Sequence, residues 1–286
     1  MAFPFRRKKK TLRADKLLAH PGALTNMIRR LAVEAGNATL VHFEESGFVG
    51  AEYKDDGSPV TIADKEAEAI IEKGLREILP DIPMIGEEAT AAGRIPDLTG
   101  HDYFWLVDPL DGTKEFISGT GEYTVNIALI HKDTPILGVV YAPVKGEMFA
   151  GHGPGTAVRW MEDNGRDKPI SVRPMPSEGL TVIVSRSHGK AEKRDAFLEQ
   201  YKVARLLQRG SSLKICAVAS GKADIYPRFG NTCEWDTAAG DAVLRAAGSY
   251  VCDLERKPLT YGHADRKFLN PEFIAASLDF LEAEQA

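Results

Sequence analysis

Apolar residues recur at helical spacing from Leu24 to about Glu45, where Met27, Ile28, Leu31, Ala32, Ala35 and Ala38 stand three or four positions apart. A second stripe, Ala63, Ala67, Ile70, Ile71 and Ile78, predicts a helix from Thr61 to about Leu79 that Pro80 ends. Pro83-Met84-Ile85 reads as a short strand, and residues 89–102, rich in small side chains, as an irregular loop. The run Tyr103 to Val107 is a hydrophobic strand, and Pro109 should end it at Asp108. Tyr123 to His131, Pro135 to Tyr141 and Glu147 to Ala150 are further β-type runs separated by turn residues. The segment from Gly151 to Lys168, rich in glycine and charge, marks a boundary between a lobe of residues 14–165 and one of 166–286. The second half then alternates: strand 180–185, helix 191–201, strand 203–207, helix 213–220, strand 223–226, a helix from Glu234 to Gly248, and a last strand and helix after Leu269. Such alternation predicts a mixed α/β fold, with an α+β first lobe and an α/β second lobe.

A chain of 286 residues fits one large domain or two closely joined lobes. Its net charge of −5 argues against a nucleic-acid polymer as partner, while leaving a small phosphate ligand open. Cys216, Cys233 and Cys252 are odd in number and lack C-x-x-C spacing, so a reducing cytoplasm is the default and no disulfide framework is expected. Residues 1–13 form a basic arm, expected to be disordered; Phe3 and Phe5 beside its lysines and arginines could touch an anionic membrane surface weakly, on the cytoplasmic face. No apolar run approaches a membrane span. Monomer and homodimer both stay open.

The chemistry concentrates in Asp108-Pro-Leu-Asp-Gly-Thr113. Two aspartates three residues apart leave a strand, Gly112 can take backbone angles that a side chain forbids, and Thr113 can cap a short helix. Carboxylate oxygens suit Mg²⁺ rather than zinc. Asp-Pro and Asp-Gly are also ordinary turn dipeptides, so other acidic motifs matter: Glu87-Glu88 after the short strand, and Asp236 at a helix start, where the helix dipole favours a carboxylate. Thr61 is a candidate N-cap with Asp64 at N3. Gly210-Ser211-Ser212-Leu213-Lys214 reads either as a helix capped by Ser211 or as an anion site, and Arg228 as a surface residue or a phosphate ligand.

Together with Gly86-Glu87-Glu88 and Trp235-Asp-Thr-Ala-Ala-Gly240, the central string resembles the inositol monophosphatase superfamily. Asp111-Gly-Thr-Lys-Glu-Phe-Ile117 and Gly121-Glu-Tyr-Thr-Val-Asn-Ile-Ala-Leu-Ile130 resemble its bacterial 3'(2'),5'-bisphosphate nucleotidase branch, and the similarity runs from about residue 25 to 275. The resemblance implies a layered αβαβα sandwich and a Mg²⁺-dependent phosphomonoesterase that takes adenosine 3',5'-bisphosphate to AMP and phosphate. It also implies inhibition by Li⁺ and a role in clearing a by-product of sulfate activation. Carried over residue by residue, it implies Glu87, Asp108, Asp111, Asp236 and the Leu110 carbonyl as metal ligands. Thr113 and Glu87 would orient water with Asp64 close by, and Gly112 and Thr113 would hold phosphate. Asp111 and Asp236 at the metals, with Ser211, Lys214, Arg228 and His188, would meet the nucleotide. Rival readings are an inositol or sugar-phosphate phosphatase and a non-catalytic phosphate-ligand binding protein.

Overall fold

The computed structural model describes residues 14–48, 50–54, 59–186 and 191–283. The basic arm 1–13 and His188 lie outside the described residues. Helix α1 (Pro21–Val41) begins three residues before the periodicity suggests, because Pro21 occupies the first turn, where a missing N–H loses no bond. A short hairpin, β1 (Glu52–Tyr53) and β2 (Pro59–Val60), leads into α2 (Ile62–Ile78). Thr61 caps α2 as expected: Ala63 N donates to Thr61 Oγ1 at 3.2 Å, and Thr61 N donates to Asp64 Oδ2 at 2.7 Å. A reciprocal cap of this kind stabilises a helix by about 1 kcal/mol.

Seven strands then pair side by side in chain order: β3 (Met84–Gly86), β4 (Tyr103–Asp111), β5 (Thr124–His131), β6 (Thr134–Ala142), β7 (Glu147–Gly151), β8 (Val158–Met161) and β9 (Arg166–Pro169). Only the β3–β4 pair of this sheet is parallel. Segment 151–168, read from its composition as the stretch between lobes, instead supplies the last two strands, and the first sheet runs to Pro169. Two short helices interrupt the strands, α3 (Glu87–Ala91) and α4 (Thr113–Ile117). The first occupies the start of the expected loop. Gly86 has no side chain with which to cap it, and Glu68 of α2 does so from a distance, accepting from Glu88 N at 2.8 Å and Ala89 N at 2.7 Å.

The second half runs β10 (Leu180–Ser185), α5 (Ala191–Leu198), β11 (Val203–Arg209), α6 (Leu213–Ala219), β12 (Ile225–Arg228), α7 (Glu234–Ala246), β13 (Val251–Asp253), β14 (Phe273–Ala276) and α8 (Leu278–Ala283). Its five strands order as β11-β10-β12-β14-β13, parallel around β10 and antiparallel at β14. Layering follows from which residues share a face. Trp105, Val107, Val125 and Ile127 pack on α1 and α2. Phe104, Leu106, Ala128 and Ile130 pack the other way, with Ile215, Val243, Tyr226 and Phe273 of α6, α7 and the second sheet. Val182, Ile225 and Ile274 face outward to Phe280, Leu281 and Phe197. The result is a five-layer αβαβα sandwich of mixed α/β class, in which β4 and β5 are buried on both faces and therefore read as continuous apolar runs.

Helix α7 lies unusually close to the first sheet. A Cβ on Gly138 would stand 2.3 Å from the Ala239 carbonyl oxygen, and one on Gly151 would stand 2.5 Å from Ala246 Cβ. Gly138→Ala should therefore push the helix off the strand. We expect a stability loss of about 1–3 kcal/mol, read as a lower urea midpoint at unchanged slope.

Candidate active site

Two residues three apart on a regular strand point to opposite faces. Asp108 and Asp111 escape that rule through a bulge. Asp108 pairs with Asn126 and Asp111 with Thr124, so three steps on β4 match two on β5. The strand thus continues past Pro109, where sequence had it stop; Pro109, lacking an N–H, sits in the bulge. Both aspartates emerge on one side. Gly112 follows at φ 104°, a left-handed turn that starts α4. Thr113 is consequently the first residue of α4 rather than its cap. Its hydroxyl turns back, 3.3 Å from Asp64 Oδ1 and 3.4 Å from the Leu110 carbonyl oxygen.

These residues line a pocket of about 450 Å³ between the two halves of the molecule. Glu87, Asp108, Leu110, Asp111, Gly112 and Thr113 face it from the first half, and Ser211, Lys214, Arg228 and Asp236 from the second. Asp64 is buried and stands behind Thr113, outside the lining. Ten of the twelve residues singled out in the sequence therefore meet in one cavity, with Asp64 touching it through Thr113 and His188 outside the described residues.

Several neighbours were not anticipated. Ser212, rather than Ser211, holds Asp111: its N–H donates to Asp111 Oδ2 at 2.6 Å, and its hydroxyl lies 2.7 Å from the same oxygen and 2.6 Å from the Asp236 carbonyl oxygen. Asn126 of β5 donates to that hydroxyl at 2.9 Å. Ser211 has φ 48°, and it is Ser212 that directly precedes α6. Asp236 is the third residue of α7, and accepts from Cys233 N at 2.9 Å. Lys54 Nζ donates to Glu87 at 2.6 Å and to Glu88 at 2.7 Å. Glu68, which caps α3 and so aims Glu87, was signalled in the sequence as an acidic residue on the buried stripe of α2, four positions after Asp64. Lys54 carried no such signal.

Charge dominates the pocket. Burial drives the Asp108 carboxyl well above the usual range, and Glu87, Asp111 and Asp236 push it further. Asp236 is raised in the same way, by burial and then by Asp111 and Glu87. Burial also raises Asp111, against the pull of Lys214 and Ser212. Asp64 is lifted to about 6 by burial, although Thr61 stabilises its charged form. On the facing wall, burial pulls the Lys214 ammonium down to about 8, with Asp111 opposing the shift. Among the described residues no three carboxylate, imidazole or thiol groups are gathered around a single point at ligating distance; Glu87, Asp108, Asp111 and Asp236 are each turned to a protein donor. The donor set is nonetheless all oxygen and strongly anionic. It fits a hard divalent cation.

A family model described as "Inositol monophosphatase family" matches residues 22–282. The chain belongs to the inositol monophosphatase family. This family member is 45% identical over 250 residues to the 3'(2'),5'-bisphosphate nucleotidase CysQ of Escherichia coli strain K12, covering 87% of this chain and 98% of that protein. It is 40% identical over 257 residues to the CysQ nucleotidase of Buchnera aphidicola, covering 89% of this chain and 94% of that one. Among solved structures, CysQ from Bacteroides thetaiotaomicron superposes with a TM-score of 0.73 at 35% identity, covering 89% of this chain and 97% of that chain. The inositol monophosphatase from Anabaena superposes at 0.71 with 23% identity, over 92% and 94% of the two chains, a likeness of fold.

Gly210 fixes where the second half meets the first. A Cβ there would stand 2.7 Å from the Glu122 carbonyl oxygen and 2.8 Å from Glu115 Cγ. Gly210→Ala should displace Ser211, Ser212 and Lys214 without opening either core. Phosphatase turnover is expected to fall about 10- to 100-fold with near-native thermal unfolding, measured by phosphate release beside a melting curve.

Proposed function

We propose that this family member is a Mg²⁺-dependent 3'(2'),5'-bisphosphate nucleotidase that hydrolyses the 3'-phosphate of adenosine 3',5'-bisphosphate, giving AMP and phosphate. The observation that carries the reading is the make-up of the pocket lining, in which Glu87, Asp108, Asp111 and Asp236 are joined by two buried cations, Lys214 and Arg228. Glu87, Asp108, Asp111, Asp236 and the Leu110 carbonyl would hold the metals. When bound, divalent cations supply the positive charge that a transferring phosphoryl group and its leaving oxygen need in the transition state. The N–H groups at Gly112 and Thr113 are assigned to the phosphate oxygens. The Thr113 hydroxyl, backed by Asp64, and the Glu87 carboxylate are assigned to orienting the attacking water and taking its proton.

A bisphosphate brings more negative charge than the metals alone would meet. Lys214 Nζ is anchored on the Ser211 carbonyl at 2.5 Å and lies 5.4 Å from the centre of the Tyr226 ring, so its charge is fixed at the pocket wall. Arg228 is held by the Asn231 carbonyl at 3.0 Å. Both suit the nucleotide end of a substrate better than a neutral polyol ring. The 45% identity to a named nucleotidase supports the same choice.

Phosphate release with Mg²⁺ from adenosine 3',5'-bisphosphate and from inositol 1-phosphate, measured side by side, tests the reading. A strong preference for the nucleotide is expected, with KM raised about tenfold or more in Lys214→Ala and in Arg228→Ala, the loss of one charge-assisted contact. A preference for inositol 1-phosphate would keep the metal chemistry and overturn the substrate.

The Lys214 shift adds a pH signature. Below about pH 8 its ammonium is present to meet an anion; above, it is lost. KM for the bisphosphate should rise as pH passes through about 8, moved upward to the extent that bound substrate holds the proton, and Lys214→Met should flatten the profile. The linkage has the opposite sign for folding. Between about 8 and the ordinary lysine value of 10.5 the folded chain binds fewer protons than the unfolded one, so this group's contribution to stability increases with pH there.

A further inference from the structure

A second cavity, of about 280 Å³, opens between the first sheet and the second half of the chain and shares no lining residue with the pocket above. Its floor is apolar. Phe149 of β7, Ile183 of β10 and Leu213 of α6 line it while exposing only 2%, 1% and 6% of their surface. Its rim carries three cations, Lys145, Arg209 and Lys222, and one carboxylate, Glu147.

The rim cations are loosely engaged. Glu122 Oε1 lies 3.2 Å from Lys145 Nζ and 3.7 Å from Arg209 Nε, while Arg186 meets the other Glu122 oxygen at 3.2 Å. Lys222 Nζ is 3.7 Å from Glu147 Oε1, an oxygen that Arg159 already holds. In these contacts five cations, Lys145, Arg159, Arg186, Arg209 and Lys222, meet two carboxylates, in a chain whose net charge is −5. An apolar floor under surplus positive charge rejects two simple occupants. An inorganic anion leaves the floor wet, and a neutral hydrocarbon leaves the cations unmatched.

We propose that this cavity binds a small amphipathic anion: an aromatic or short aliphatic body resting on Phe149, Ile183 and Leu213, and one sulfonate, phosphate or carboxylate head on Arg209 and Lys222. Guanidinium and ammonium donors at one end and a dry, concave apolar surface at the other are the two elements that such ligands need. The volume admits a one- or two-ring body and excludes a two-chain lipid. Glu122, which sets the rim, also accepts from Gly210 N at 3.0 Å, so the cavity and the turn that leads through Ser211 into α6 and Lys214 share a carboxylate.

The test is calorimetric titration of the full chain with naphthalene-1-sulfonate, with inorganic sulfate and 1-naphthalenemethanol as controls. One site per chain is expected for the sulfonate, with both controls weaker by about tenfold or more. The double variant Arg209→Ser, Lys222→Ser should weaken the sulfonate by about tenfold or more. Both side chains are more than half exposed, so the fold should survive. Arg228→Ala, which removes a cation of the catalytic pocket and lies outside this cavity, should leave binding unchanged. No binding, equal binding of plain sulfate, undiminished binding by the double variant, or loss in Arg228→Ala, which would put the ligand in the catalytic pocket, would each overturn the proposal.

Discussion

Negative charge held in a poorly solvated pocket is the constraint on which the rest of the structure depends. Burial disfavours the charged forms of Asp108, Asp111 and Asp236, which also repel one another, and the Glu87 charge adds to the repulsion on Asp108 and Asp236. Such an arrangement persists only if the surrounding frame is rigid and supplies donors. The frame is visible in each case: the β4 bulge under Asp108 and Asp111, Ser212 and Asn126 against Asp111, the first turn of α7 behind Asp236, and Glu68 setting the start of α3 beneath Glu87. Close approach of α7 to Gly138 and Gly151 fixes Asp236 relative to the first sheet.

Much of this was legible in the sequence, for identifiable reasons. Helices α1 and α2 carry a one-sided apolar stripe, and β4 to β6 are long apolar runs, so periodicity located them. The metal-type carboxylates were legible because their residue types stand in ordered motifs that resemble a known family. Local sequence alone could not separate Asp236 as a ligand from Asp236 as a helix-start residue.

What was missed depends on tertiary contacts. The extension of β4 past Pro109 requires the β5 ladder beside it. Helix α3 forms where a loop was expected because Glu68, about twenty residues earlier, caps it. Strands β8 and β9 were hidden because their glycine- and charge-rich composition matches a linker, and they are strands only as the outer edge of a sheet that β7 extends. Ser212 was passed over for Ser211 because adjacent serines are equivalent in sequence; only the left-handed backbone at Ser211 decides which one faces Asp111.

The central claim is that carboxylates from both halves of the chain share bound metal. Its most direct test is Mn²⁺ binding followed by electron paramagnetic resonance, with Mn²⁺ standing in for Mg²⁺, in the presence of phosphate. The account predicts binding by the wild-type chain that is lost in Asp108→Asn and weakened strongly in Asp236→Asn, with near-native thermal unfolding in both. Undiminished Mn²⁺ binding by Asp236→Asn would show that the second half takes no part in the metal site, and would contradict the account.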